Sequence, residues 1–162
     1  MRSHNIPYTK QDIKRGYQLI RKCIDIKLRE YNVIFITSNK APNTYKAMRS
    51  EFDKTGIFKV YNGGDHGLLG KTYNIRFRAL HDAMHYKHNL SFSFQDEKKL
   101  SLLTALEFAA TCYNELDATH FEMVMVRDII NAEIKGQIEY YQENKKYVDN
   151  QSKFILDYLE VV

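Results

Sequence analysis

Residues 62–70 read NGGDHGLLG, and four glycines within nine residues mark a stretch that must be loop. Several of these positions can adopt positive φ, which glycine accepts without steric cost. The chain reads differently on the two sides of this loop. Before it, NVIFIT at 32–37 and IFKVY at 57–61 are short β-branched and aromatic runs that read as strands. Residues 42–54 between them fit a helix that stops at Gly56. Ahead of both, Thr9 can cap a helix over 10–30, with Ile13, Tyr17, Ile20, Ile24 and Leu28 at helical spacing and basic residues on the other face. After the loop the pattern is helical to the end, with helices expected at 71–88, 95–116, 120–146 and 151–160, separated at 89–94 and 117–119. The expected class is α+β, predominantly α-helical: a small two-stranded β element near the N-terminus, then a helical bundle.

At 162 residues and 19.2 kDa the sequence has the size of a single domain over 1–162. It is 44% hydrophobic and 27% charged with mean hydropathy −0.51, and no apolar run approaches the ~18–20 residues of a membrane span. Residues 1–10 carry polar side chains and Pro7 where an export signal would be apolar, so a cytoplasmic address is the expectation. The two cysteines, Cys23 and Cys112, have no Cys-x-x-Cys spacing, which excludes a disulfide scaffold and a thiolate zinc site. Any metal must therefore take nitrogen and oxygen ligands. The net charge of +4 conceals a polarity: residues 1–60 hold 13 Lys or Arg against 5 Asp or Glu, and residues 61–162 hold 11 against 15. The basic end could face an anionic small molecule or, using Arg15, Arg21 and Lys22 with the many tyrosines, nucleic acid.

Five of the six histidines, His66, His81, His85, His88 and His120, lie in the middle of the chain. In RFRALHDAMHYKH, residues 76–88, His81 and His85 stand one helical turn apart and can converge on one point. Arg78 and His88 share their sector of the helix, and Ala79, Ala83, Phe77, Leu80 and Met84 form apolar shoulders that would set it in an internal cleft. Farther on, Glu133 and Gln137 fall near the middle of an apolar stripe formed by Val126, Ile129, Ile130, Ile134 and Tyr141, while Asp128, Lys135 and Glu139 fall opposite. A carboxylate in such a stripe needs a cation, a proton or strong donors. Glu107 raises the same question more weakly, and Glu97, in the first turn of its helix, is a further acidic candidate whose ordinary role is to satisfy the helix dipole. Two histidines with one or two carboxylates form the ligand set of mononuclear zinc, iron or manganese sites. A zincin would need Glu where Asp82 stands, and a di-iron bundle would need two Glu-x-x-His elements that this chain lacks.

Two resemblances attach to these residues. His81-Asp82 resembles the metal-binding doublet of HD-domain phosphohydrolases, with His66 upstream and Asp128 downstream in the place of the outer ligands. The succession TGIFKVYNGG, NIRFRALHDAMH, LSFSFQDE, EIKGQIEYY and NQSKFILDYL, over about 55–160, is similar to an uncharacterised group of small proteins of tailed bacteriophages and prophages. That group's Arg-Ala-x-His-Asp core, following Phe and Glu, and late Glu-x-x-Gly-Gln element single out Arg78, His81, Asp82, His85, Phe92, Glu97, Glu133, Gly136 and Gln137. The resemblance implies a viral origin and a shared site.

The expectation is a metal-dependent hydrolase of viral origin, acting on a phosphorylated or nucleotide substrate in the host cytoplasm. His81, His85, Glu97 and Glu133 are the candidate ligands, Asp82 the base or the residue orienting a histidine, and Arg78 the partner of an anionic group. Gln137 and His88 complete the candidate substrate-binding residues. The alternative is a non-enzymatic phage protein that binds a host or viral macromolecule, with the His/Glu cluster a structural polar network.

Overall fold

The computed structural model describes residues 6–162; the start of the segment read above for an export signal, residues 1–5, lies outside the described residues. Helix α1 (Lys10–Glu30) begins where Thr9 and Asp12 form a reciprocal capping box, and it buries Ile13, Tyr17, Ile20 and Ile24 on one face. Strand β1 (Phe35–Ser38), helix α2 (Tyr45–Thr55) and strand β2 (Phe58–Tyr61) follow. The two strands pair in parallel, Phe35 opposite Phe58 and Ser38 opposite Tyr61. Parallel neighbours need a crossover, and α2 is that crossover. It ends at Gly56, whose φ of 70° is the left-handed cap that glycine supplies.

Helix α3 (Lys71–His88) then runs between this unit and the bundle. Its small residues Ala79 and Ala83 admit Phe58, Val60 and Met48 on one side, where Phe52 stacks on Phe58 at 4.2 Å between ring centroids. Its other side, through Phe77, Leu80 and Met84, joins the main core with α1, α4 (Phe94–Glu115) and α5 (His120–Asn131). Phe108 of α4 meets Phe77 edge-on at 6.2 Å and is fully buried. Where α1 crosses α5, Gly16 allows close approach: a Cβ there would stand 2.5 Å from Ile129 Cδ1.

The fold is α+β and mostly helical, with the small sheet near the N-terminus. Two details depart from the helical pattern. The helix expected over 120–146 is broken by a π turn at Ala132–Gly136, after which α6 (Gln137–Asn144) resumes the α pitch. The wider turn changes the angular phase, so a single wheel cannot describe both halves. Asp128, expected on the exposed side, is buried, because Tyr8 of the N-terminal segment covers that face and donates its hydroxyl to Asp128 Oδ2 at 2.7 Å. Helix α7 (Gln151–Tyr158) packs on the π turn, where a Cβ on Gly136 would lie 3.1 Å from the Tyr158 ring. None of the described helices is long and apolar enough to cross a membrane.

Phe108→Ala should cost about 3–5 kcal/mol of stability, since it leaves a cavity at the junction of α1, α3 and α4. Urea denaturation checks this; a loss below about 1 kcal/mol would show that α4 does not carry the core.

Candidate metal centre and a second buried carboxylate

Helix α3 carries His81 and His85 on successive turns and ends at Asn89, whose φ of 54° is left-handed. The reversal turns Leu90 back onto His85: the Leu90 amide donates to the His85 carbonyl at 3.0 Å, and the Leu90 carbonyl faces His85 Nδ1 at 2.8 Å. Ser93 caps α4, and Ser91 binds Asp96 through both its amide and its hydroxyl, at 2.9 and 2.8 Å. This clamp fixes the first turn of α4 and places Glu97 against the two histidines.

The two Nε2 atoms lie 3.0 Å apart, and Glu97 Oε1 is 3.2 Å from His81 Nε2 and in direct contact with His85 Nε2. One ligand atom from each of the three residues lies within 4.8 Å of the other two. A carbonyl can only accept, so His85 Nδ1 carries a proton, and in the neutral imidazole Nε2 then presents a lone pair. A lone pair facing a carboxylate calls for a cation between them or a second proton on the ring. Anchoring the distal N–H on a backbone carbonyl is the usual way a ligating histidine is oriented. His81 Nδ1 is buried with no hydrogen-bond partner among the described residues, so packing alone does not satisfy this ring. The donor set of two imidazoles and one carboxylate suits zinc, iron or manganese.

Burial pushes the Glu97 carboxyl up, but His81 and His85 outweigh it and hold Glu97 well below the usual carboxylate range. Asp82 moves the other way. Burial, reinforced by Glu97, pushes its carboxyl up to about 7 against the pull of His85 and Arg78. Phe92 closes one side of the cluster, edge-on to His85 at 4.7 Å. His81 and Glu97 remain partly accessible, so the centre is open to solvent on one flank.

The remaining sequence candidates are held elsewhere. Arg78 donates Nη1 to the carbonyls of Tyr61 and Gly63, at 3.0 and 2.5 Å, and so ties the glycine loop to α3. Its Nη2 sits where a Cβ on Gly64 would stand, 2.4 Å away, at a φ of 92°. His88 meets the Tyr31 hydroxyl at 3.0 Å, and the same hydroxyl donates to Glu107 at 2.9 Å. In the basic N-terminal helix, Arg15 pairs with Glu122 at 2.6 Å and Arg21 donates to the Leu68 carbonyl, which leaves Lys22 the least engaged cation of an open groove of about 330 Å³ between α1 and Tyr73.

Glu133 lies outside the three-ligand group, in the π turn. Its buried carboxylate is enclosed by donors: the Tyr17 hydroxyl, the Gln137 amide at 2.9 Å, and His66 Nε2 in direct contact. His66, read as an outer ligand or a loop residue, is thus fully buried beneath the glycine loop. Glu133 stands in the apolar stripe where its sequence position puts it, and three donors enclose it. Tyr17 carried no local signal, because its sequence position marks it only as core.

Comparison of the chain with protein-family models, with curated proteins and with solved structures finds no match. The functional reading rests on the residues themselves.

Tyr17→Phe removes one donor from a buried carboxylate and should cost about 1–3 kcal/mol by denaturant titration. It should leave any bound metal in place, because Tyr17 touches none of His81, His85 and Glu97; loss of metal in this variant would join the two clusters into one.

Proposed function

We propose that the protein is a metal-dependent hydrolase of bacteriophage origin that acts on a phosphorylated substrate, with a divalent metal held by His81, His85 and Glu97. The observation that carries this reading is the tautomer of His85, whose protonated Nδ1 is committed to Leu90 so that its Nε2 lone pair meets Glu97 and His81 at one point. Three protein ligands leave coordination positions open, the arrangement of catalytic rather than structural sites. Zinc, iron or manganese held there supplies Lewis acidity toward a phosphoryl oxygen and toward water. His81, His85 and Glu97 fix the reacting geometry, and the Phe92 ring limits solvent on one side. Asp82, beside His81 in sequence, partly accessible and raised toward neutrality by burial, is the group that takes a proton from the attacking water at its carboxylate. The excess of basic residues over 1–60 favours an anionic substrate.

The competing reading is a non-enzymatic phage protein that binds a macromolecule and uses its His/Glu clusters as structural networks. It draws support from Arg78, His88 and Gln137, the residues expected to meet substrate, all of which have intramolecular partners.

Protein stripped of metal and reloaded with zinc, manganese or iron separates the two when assayed on phosphomonoesters and nucleotides. His81→Ala and His85→Ala should lose metal and activity while helical circular dichroism persists, and Asp82→Asn should keep the metal and lose about 100-fold or more in rate. Metal retained by both histidine variants would overturn the ligand assignment. Loss of about 1–3 kcal/mol of stability in both, with no metal in the wild type, would favour the network reading.

A further inference from the structure

The second cluster has a feature that a purely structural network does not require. His66 Nδ1 accepts from the Leu69 amide at 3.2 Å, which places the lone pair on Nδ1 and the ring proton on Nε2, facing Glu133. The same Nδ1 lies 3.3 Å from the hydroxyl of Ser152. Ser152, His66 and Glu133 therefore stand in the order hydroxyl, imidazole, carboxylate, with the Ser152 hydroxyl sharing the Nδ1 lone pair with the Leu69 amide and its oxygen accepting from the Leu68 amide at 2.9 Å. Glu133 and His66 are buried, and Ser152 is partly exposed, so the hydroxyl is the member that solvent and substrate can reach.

Three elements from distant parts of the chain make this alignment. The glycine loop carries His66, the π turn carries Glu133, and α7, brought close over Gly136, carries Ser152 in its first turn. Ser152 stands in the first turn of α7, behind the Asn150 cap, where the first amides have no acceptor within the helix. Gly67 borders the hydroxyl: a Cβ there would stand 3.6 Å from Ser152 Oγ, and its absence leaves approach from that side open. Tyr17 donates to the same Glu133 oxygen that faces His66, and Gln137 donates to the other, so the carboxylate is held in place against the imidazole.

We propose that Ser152 is a nucleophile activated by His66 and Glu133, forming an esterase-type site for small carboxylic esters that is separate from the metal centre. Ser152 Oγ adds to the ester carbonyl as its proton passes to His66 Nδ1. The tetrahedral species then collapses, breaking the bond to the alcohol oxygen, and His66 returns the proton to that leaving group. Water, deprotonated by His66, cleaves the acyl-serine to release the carboxylic acid and restore the hydroxyl. Ester and water are consumed, and acid and alcohol are formed.

A fluorophosphonate probe tests the proposal on the whole protein, read by intact mass and peptide mapping in the presence of chelator. Wild type should gain one adduct, mapped to Ser152, and Ser152→Ala should gain none. His66→Asn should react about 100-fold more slowly or worse, as expected for loss of a general base. Gly67→Val, at an exposed position outside the triad, should slow labelling while leaving the circular dichroism spectrum unchanged. The proposal is overturned if wild type stays unlabelled under conditions that label a control serine esterase. An adduct on Ser152→Ala equal to that of wild type would also overturn it, as would undiminished labelling of a folded His66→Asn protein.

Discussion

One hydrogen bond, from His85 Nδ1 to the carbonyl of Leu90, organises the centre of this molecule. It chooses the tautomer of a buried imidazole and aims the opposite lone pair at Glu97. It also holds the chain reversal at Asn89, which decides where α4 begins and hence where Glu97 stands. Rotating His85 would uncouple the end of α3 from the start of α4 and take from Glu97, a partly buried carboxylate, one of its two histidine partners. Burying such a charge unpaired costs several kcal/mol, which is why geometry and electrostatics reinforce each other here.

The two carboxylates, Glu133 buried and Glu97 partly buried, meet that constraint differently. Glu133 is enclosed by a hydroxyl, an amide and an imidazole N–H, all donors, and its demand is met within the protein. Glu97 faces two imidazoles, one with its proton committed elsewhere and the other with an unpartnered buried Nδ1. The first arrangement is complete without a cation. The second offers a cation three ligand atoms, and this contrast between two acidic residues in one small protein supports the proposed metal centre.

Much of this was legible in the sequence, and the rest depended on contacts no local pattern encodes. Helices α1 and α3 occupy the residues their periodicity predicts, because each has a clear breaker or cap at its ends: Thr9 before α1, Gly70 and Asn89 around α3. The pairing of His81 with His85 follows from helical pitch alone. Local pattern marked Glu97 only as a first-turn acid, and the resemblance to the phage group added it to the candidate ligands, since a helix start does not reveal which neighbour it meets. The π turn at Ala132–Gly136 escaped because nothing but Gly136 marks it, and its wider pitch separates Glu133 from the phase of the preceding helix. Asp128 was placed on the wrong side because its partner, Tyr8, lies 120 residues away in sequence. Ser152 gave no signal; only the docking of α7 on the π turn brings it to His66.

Elemental analysis of untagged protein, paired with thermal melts with and without a chelator, tests the central claim most directly. The account predicts about one zinc, iron or manganese per chain, with a melting temperature that chelator lowers and the same metal restores, as binding to the native state requires. A metal-free protein whose melting temperature ignores both chelator and added divalent ions would contradict it.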